Sequence, residues 1–371
     1  MRHKYVLLAM VLACFCFFSY HQRGSEKTVY YYTKVFRNIT PLSSDLQNTG
    51  GERQPWWREV VCEKDNLTTQ QTGKPLKLLF RDVTPVKDNN IFLVYTSCNS
   101  RPLYRAWCAV ESWARLNPGR HVWFLLTSGR AEETEHLSTL LKHYDNLQVV
   151  GADLDDLFTN TPLESFFNGR NWTRKDSWPI IQMSNMLRVL LLWHFGGVYS
   201  DTDMINLQPF TLPLNGIGME TSDRVCNAFL SFHANHPFLS YLMNFMAQQF
   251  EPRKWGSIGI LAITKAVKKI CKKNLSDLFK RAPVTCPGNF TIYPKISFYS
   301  VLYNTYSKYF RPGGGKDFDK IFTSKSFGAH FWNKFTKNIY VKVNNNTLIE
   351  VLARKFCPFT FRIATAHSDI Y

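Results

Sequence analysis

Residues 178–210, WPIIQMSNMLRVLLLWHFGGVYSDTDMINLQPF, constrain the fold more than any other stretch of this chain. Met183, Leu187, Leu190, Leu191 and His194 recur at helical spacing, so Ile180 to Phe195 reads as a strong helix. Gly196-Gly197 then supplies a C-terminal stop. Val198-Tyr199 opens a short strand, and Asp201-Thr202-Asp203 follows at once. Helix, glycine turn, strand and acidic pair form the joint of an α/β sheet, and open α/β sheets bind ligands at the carboxyl ends of their strands. Two carboxylates one residue apart at such an end can both reach one hard dication, Mn²⁺ or Mg²⁺, or its waters. An ion of that kind bridges a diphosphate and stabilises the charge that develops as it leaves. A bare D-x-D also serves simply as a turn; the helix, the glycines and the strand start ahead of it favour the ligand reading.

The same alternation continues upstream. Ile91 to Tyr95 is a buried-strand run, Arg101 to Leu116 is helical, His121 to Thr127 is a second strand, Thr134 to His143 is helical and Leu147 to Val150 is a third strand. This order predicts an α/β domain with a mostly parallel sheet flanked by helices. Residues 89–371, about 280 residues, suffice for one large domain. Residues 21–88 show no sustained period and read as an extended stem.

At the amino terminus, Tyr5 to Tyr20 carries no charge and follows a basic tetrapeptide, residues 1–4. The run fits a retained anchor better than a cleaved signal peptide, because bulky residues stand where a cleavage site wants small ones. Sixteen helical residues span roughly 24 Å, short for a plasma membrane and suited to thinner bilayers. Arg2 and Lys4 then stay cytosolic and the bulk of the chain is lumenal. Sequons at Asn38, Asn66, Asn171, Asn274, Asn289 and Asn345 agree with a secretory route. Seven cysteines lie beyond the anchor without a CxxC pair or a zinc-like cluster, so disulfides are expected, with at least one cysteine left over or paired with another chain. The net charge of +17 comes without a nucleic-acid-binding signature. The cluster Lys265, Lys268, Lys269, Lys272 and Lys273 is expected on a solvated helix face, with an anionic substrate or membrane surface as the alternative.

The segment LRVLLLWHFGGVYSDTDMINLQPF resembles the core of the α-1,4-galactosyltransferase and α-1,4-N-acetylglucosaminyltransferase family, whose pattern is S-D-x-x-R, an apolar run, then W-K-[FY]-G-G-[IV]-Y-x-D-T-D. The likeness extends over about residues 89 to 358. Cys108-Ala109-Val110-Glu111-Ser112 matches C-S-V-E-S; Asp156-Leu157-Phe158 with Thr161-Pro162-Leu163 resembles L-F-x-D-T-P-L. Tyr293-Pro294 is similar to F-Y-P-I, Ala329 to Lys334 to A-x-H-x-W-N-K, and Cys357-Pro358 closes the likeness. The resemblance implies a GT-A-like, Rossmann-type nucleotide-sugar domain, a single-pass type II Golgi orientation, a UDP-sugar donor with a divalent metal such as Mn²⁺, and retention of the α configuration. It implies transfer of galactose, N-acetylgalactosamine or N-acetylglucosamine in an α-1,4 bond to a glycosphingolipid or glycoprotein glycan. Carried over by position, Asp201 and Asp203 hold the metal and UDP-sugar, Arg188 contacts donor sugar or phosphate, and His330 adds a nitrogen ligand or a phosphate contact. Trp332 and Asn333 shape the same pocket.

The departures bear on activity. Where the family has S-D-x-x-R, this chain has Ser184-Asn185-Met186-Leu187-Arg188, so Asn185 brings an amide where a carboxylate would accept from donor-sugar hydroxyls. The family's N-G before A-F-L-A-F is reduced to Asn227-Ala228-Phe229-Leu230-Ser231-Phe232, and W-G-x-Q-G-P becomes Trp255-Gly256-Ser257-Ile258-Gly259-Ile260. Two rival readings follow: a weak or inactive family member acting as a Golgi partner protein, and a secreted carbohydrate-binding protein.

Overall fold

A computed structural model describes residues 55–64 and 72–366. The anchor expected at 5–20 lies outside them; among the described residues no helix is long and apolar enough to cross a membrane. Nine strands form one sheet: β1 (Leu78–Leu79), β2 (Asn90–Tyr95), β3 (His121–Leu126), β4 (Leu147–Ala152), β5 (Gly197–Ser200), β6 (Gly216–Thr221), β7 (Arg224–Phe232), β8 (Val284–Cys286) and β9 (Phe290–Tyr293). Their order is β8-β9-β6-β7-β5-β2-β3-β4-β1. From β5 to β1 every neighbouring pair is parallel. The other half is mixed: β7 runs antiparallel to β5 and β6, and β8 antiparallel to β9. The sheet is therefore less parallel than its first three strands imply. A tight turn at Ser222-Asp223 returns β7 directly alongside β6, and a hairpin can only make an antiparallel pair.

The longer helices among the described residues are α1 (Trp56–Lys64), α2 (Tyr104–Leu116), α3 (Glu135–His143), α4 (Pro179–Phe195), α5 (Pro237–Gln248), α6 (Ile260–Cys271), α7 (Leu348–Phe356) and α8 (Pro358–Thr365). Phe92 and Val94 of β2 point into one core with α1, α4, α5 and α6; Ile91 and Leu93 point into the other with α2, α3, α7 and α8. Strands covered on both faces are why these runs are apolar throughout rather than alternating.

The folded body begins ahead of residue 89. Helix α1 buries Trp57 and Val61, and β1 joins the sheet, so these parts of the 21–88 segment are packed and not extended. Trp56 lies 5.1 Å from Phe167 and 6.0 Å from Trp172, and Cys62 is bonded to Cys98. Nine helical residues are too few to show a period against polar flanks, which is why the sequence conceals them. Disulfides also join Cys108 to Cys357 and Cys271 to Cys286; Cys226 is free and buried. The five clustered lysines are exposed on and just after α6, the solvated-face reading.

The motif Cys108 to Ser112 turns out to be scaffolding. Cys108 holds the C-terminal Cys357. Buried Glu111 accepts from the Phe359 and Thr360 N–H groups at 3.0 and 2.7 Å, two of the donors that a helix start leaves unpaired, here the start of α8. Ser112 Oγ accepts from Asn206 N–H at 2.9 Å and so holds the chain just past the acidic pair.

Candidate active site

Helix α4 turns into β5 without a connecting loop. Gly196 (φ 66°) and Gly197 (φ 112°) take backbone conformations closed to most residues, and a Cβ on them would strike the Asp88 carboxylate and the Asn90 carbonyl. The joint places buried Arg188 of α4 under the end of β5. Arg188 Nη1 donates to the Asn227 carbonyl (2.7 Å), Nη2 to Ser184 Oγ (2.9 Å) and Nε to the Ser184 carbonyl (3.2 Å). Its guanidinium lies over the Tyr199 ring, 4.9 Å from the centroid, with Nη2 3.2 Å from Asp201 Oδ1. Tyr199 Oη donates to that same oxygen at 2.8 Å, and Asp201 N–H donates to the Ala228 carbonyl at 2.8 Å.

Asp203 is fixed from the other end of the chain. The Met204–Asn206 strand pairs antiparallel with the Gly328–His330 strand, His330 opposite Met204. Phe331 N–H extends the ladder to the Asp203 carbonyl (2.8 Å). His330 Nε2 lies 3.1 Å from Asp203 Oδ1, and Asn333 N–H donates to Oδ2 at 2.6 Å. Trp332, between them, stands in the left-handed region (φ 60°, ψ 54°), a conformation that costs a bulky residue energy. Its indole Nε1 donates to the Val301 carbonyl, and its ring centroid lies 4.1 Å from that of His330.

The electrostatics separate the two aspartates. Burial and the charge of Asp203 raise the Asp201 carboxyl above its ordinary pKa, against the pull of Arg188. Burial pushes Asp203 the same way, but the His330 charge and hydrogen bond and the Asn333 N–H outweigh it and hold Asp203 below the usual carboxylate range. Burial opposes the charge on His330, and Asp203 raises the imidazole above its ordinary value despite that. Asp203 and His330 thus stabilise each other's charged forms.

Among the described residues, Asp201, Asp203 and His330 are the grouping that could hold a metal ion, with one ligand atom from each within 4.8 Å of the others. His330 Nδ1 is buried without a hydrogen-bond partner. Two carboxylate oxygens and an imidazole nitrogen suit a borderline-hard dication, so the donor set fits the metal that the D-x-D implies.

Asn185 sits beside this cluster and not in it. It is buried, its Oδ1 accepts from Asn227 Nδ2 (2.9 Å), and Gly259 packs so closely that a Cβ there would lie 2.7 Å from the Asn185 amide. Ile258 is buried in the core and Ile260 is half-buried. Asn333 contributes its backbone N–H, and its side chain is half-buried. Two residues had no sequence signal of this role. Tyr199 reads only as a strand residue. Glu220 is fully buried, with Oε1 3.5 Å from Arg224 Nε and Oε2 without a partner. Burial raises its pKa, against the charges of Arg224 and His330.

Residues 104–223 match the family described as a glycosyltransferase sugar-binding region containing a DXD motif, and residues 231–364 match the α-1,4-glycosyltransferase conserved region. The sheet, the strand-end acidic pair and the first of these matches define the class: a DXD glycosyltransferase. The human lactosylceramide 4-alpha-galactosyltransferase is 30% identical over 276 residues, 73% of this chain and 76% of that protein. The gorilla protein of the same name is 31% identical over 276 residues, covering 82% of its length. Human alpha-1,4-N-acetylglucosaminyltransferase is 28% identical over 279 residues, 73% of this chain and 79% of that protein. The chain belongs to the α-1,4-glycosyltransferase family.

Proposed function

We propose that this protein transfers an α-linked hexose or N-acetylhexosamine from a UDP-sugar to a glycolipid or glycoprotein glycan, forming an α-1,4 bond with retention of configuration. The observation that carries the reading is the Asp201–Asp203–His330 cluster, assembled from both halves of the chain at the carboxyl end of β5. Asp201, Asp203 and His330 would hold a divalent ion there, Mn²⁺ by the mixed oxygen and nitrogen donors, and it would neutralise the diphosphate while the sugar–UDP bond breaks and the acceptor oxygen bonds the same face of the sugar, its proton passing to the departing phosphate. Arg188 keeps a full positive charge beneath Asp201, fixed by three hydrogen bonds, and so holds the carboxylate in place. His330 and Asn333 do the same for Asp203. Prealigned charges of this kind need no rearrangement as the leaving group develops its charge.

A lumenal Golgi setting, with residues 5–20 as a type II anchor, is supported by three disulfides and by the exposure of Asn171, Asn274, Asn289 and Asn345, the four sequon asparagines among the described residues. A weak or inactive partner role is the second reading, and the uncharged Asn185 corner favours it.

UDP release from UDP-galactose, UDP-N-acetylgalactosamine and UDP-N-acetylglucosamine by the full chain, with Mn²⁺ or with a chelator, separates the two. Metal-dependent release from one donor supports the transferase. Metal-dependent UDP-sugar binding without release supports the partner role. Absence of metal-dependent binding overturns the donor site itself.

A further inference from the structure

Past the ion site the chain runs directly onto an aromatic surface that the cluster does not use. Asn333, whose N–H holds Asp203, opens the short helix Asn333–Thr336. The next residue, Lys334, sets its ammonium over two exposed rings, 3.3 Å from the centroid of Trp255 and 5.5 Å from that of Phe335. Trp255 is 38% exposed and Phe335 46%. Phe335 is parallel to Tyr306 at 6.1 Å and within 29° of parallel to Tyr303, also at 6.1 Å. Tyr303 in turn meets Trp332 edge-on at 6.1 Å. The rings therefore step outward from beside His330 in equal strides. Arg224 Nη2 donates to the Tyr303 hydroxyl (3.1 Å), and the buried Glu220 holds Arg224 from behind. At the outer end Tyr306 lines a cavity of about 400 Å³ together with Ser307, Lys308, Phe310, Arg311 and Ile339.

Leaving an aromatic side chain in water forgoes roughly 1.5–3 kcal/mol of burial, so the exposed Trp255 and Phe335, continuous with the half-buried Tyr303 and Tyr306, call for a ligand. The pattern indicates which. Ring faces alternate with an ammonium, a guanidinium and phenol hydroxyls. A pyranose presents one face of C–H groups, which packs on a ring, and an edge of hydroxyls, which bonds to such donors and acceptors. A lipid chain would bury the charge of Lys334 without pairing it.

We propose that this aromatic tier, from Trp332 to the cavity beyond Tyr306, binds the acceptor oligosaccharide. The reacting sugar lies at the Trp332–Tyr303 end and the following sugars lie toward the cavity. The inference rests on the transferase reading above and deepens it: the acceptor is recognised through at least two sugars.

The test uses the full chain, the donor that supports release, and three acceptors: methyl β-galactoside, lactose and lacto-N-neotetraose. Wild type should prefer the longer acceptors. Phe335→Ala and Tyr306→Ala should raise the KM for lactose and the tetrasaccharide about tenfold, the scale of one lost ring contact, and erase the length preference. UDP release in the absence of acceptor reports the donor site separately and should not change. Unaltered KM values in folded variants would overturn the proposal. So would loss of binding to phosphatidylcholine vesicles with acceptor KM unchanged, which would make the surface a membrane contact. Should wild type release no UDP at all, the transferase reading fails alone, and saturation-transfer NMR of lacto-N-neotetraose then decides the tier: signal lost in Phe335→Ala supports it, and no signal in wild type overturns it.

Discussion

Two corners of the site meet under the end of β5 and are built by opposite means. At the metal corner, Asp201, Asp203, His330 and Arg188 put four ionisable groups into a small buried volume, each held by hydrogen bonds from a different element. At the adjoining corner, Asn185 and Asn227 satisfy each other with neutral amides against Gly259. Charges removed from water are tolerated when paired and, once paired, are costly to unpair; amides are cheaper to bury and far more forgiving of exchange. On the proposed function, the first corner is expected to fix whether the chemistry runs, and the second to adjust which sugar it runs on.

Asp203→Asn should break the first corner outright. An amide is a poor ligand for a hard dication and cannot hold the charge on His330. At about 1.4 kcal/mol for each tenfold, losing several kcal/mol of leaving-group stabilisation lowers turnover by roughly a thousandfold or more. Mn²⁺ dependence should vanish and the melting temperature should fall, because the buried contact with His330 loses its charge partner, while the chain still folds because an amide oxygen still accepts from Asn333 N–H. Near-normal transfer by this variant would show that the two corners do not differ in the proposed way.

Arg188→Lys keeps the charge and discards the fork. A lysine cannot serve Ser184, Asn227 and Asp201 together, so buried acceptors go unpaired at about 1–3 kcal/mol. Turnover should fall by roughly a hundredfold and the urea midpoint should drop measurably. A lysine variant with wild-type stability and rate would reduce Arg188 to a plain counter-ion.

The corners should also part in their response to pH. His330 has a folded-state pKa above its ordinary value, so its ion pair with Asp203 stabilises the metal-free fold below the ordinary imidazole pKa, and that contribution is lost as pH rises through the raised value. Metal needs the neutral imidazole, so apparent Mn²⁺ affinity should weaken by up to about tenfold for each pH unit below that raised value. Melting curves across pH with and without Mn²⁺ should show a metal-induced shift that grows with pH. A shift independent of pH would remove His330 from the ligand set.

The smallest effect is expected at the amide corner. Asn185→Asp should fold normally, since Oδ1 can still accept from Asn227. A carboxylate accepts from two sugar hydroxyls where an amide spends half its capacity as a donor. A several-fold change in relative rates across the donor panel is expected. Identical donor profiles for wild type and variant would place Asn185 outside the sugar contact.

Much of the fold was legible because its signals are local. The parallel core strands and α4 announce themselves by apolar runs, and Gly196-Gly197 marks a joint that admits almost nothing else. The motif around Glu111 was legible as a pattern but not as a role: its side chain caps a helix 248 residues away, and no spacing encodes that. Helix α1 stayed hidden because its burial depends on Phe167 and Trp172, far along the chain.

By itself the sequence determined the α/β class, the strand-end position of Asp201 and Asp203 and the family pattern that points to Arg188 and His330, all consequences of short-range periodicity and motif. The tertiary structure alone decided that His330 pairs with Asp203 across 127 residues, that Tyr199 and Asn333 N–H hold the two carboxylates, and that Asn185 faces Gly259. The reason is geometric: the Gly328–His330 strand must find Met204–Asn206 as its partner before the ligand set exists, and strand pairing between distant segments is settled by the packed sheet and not by neighbours in sequence.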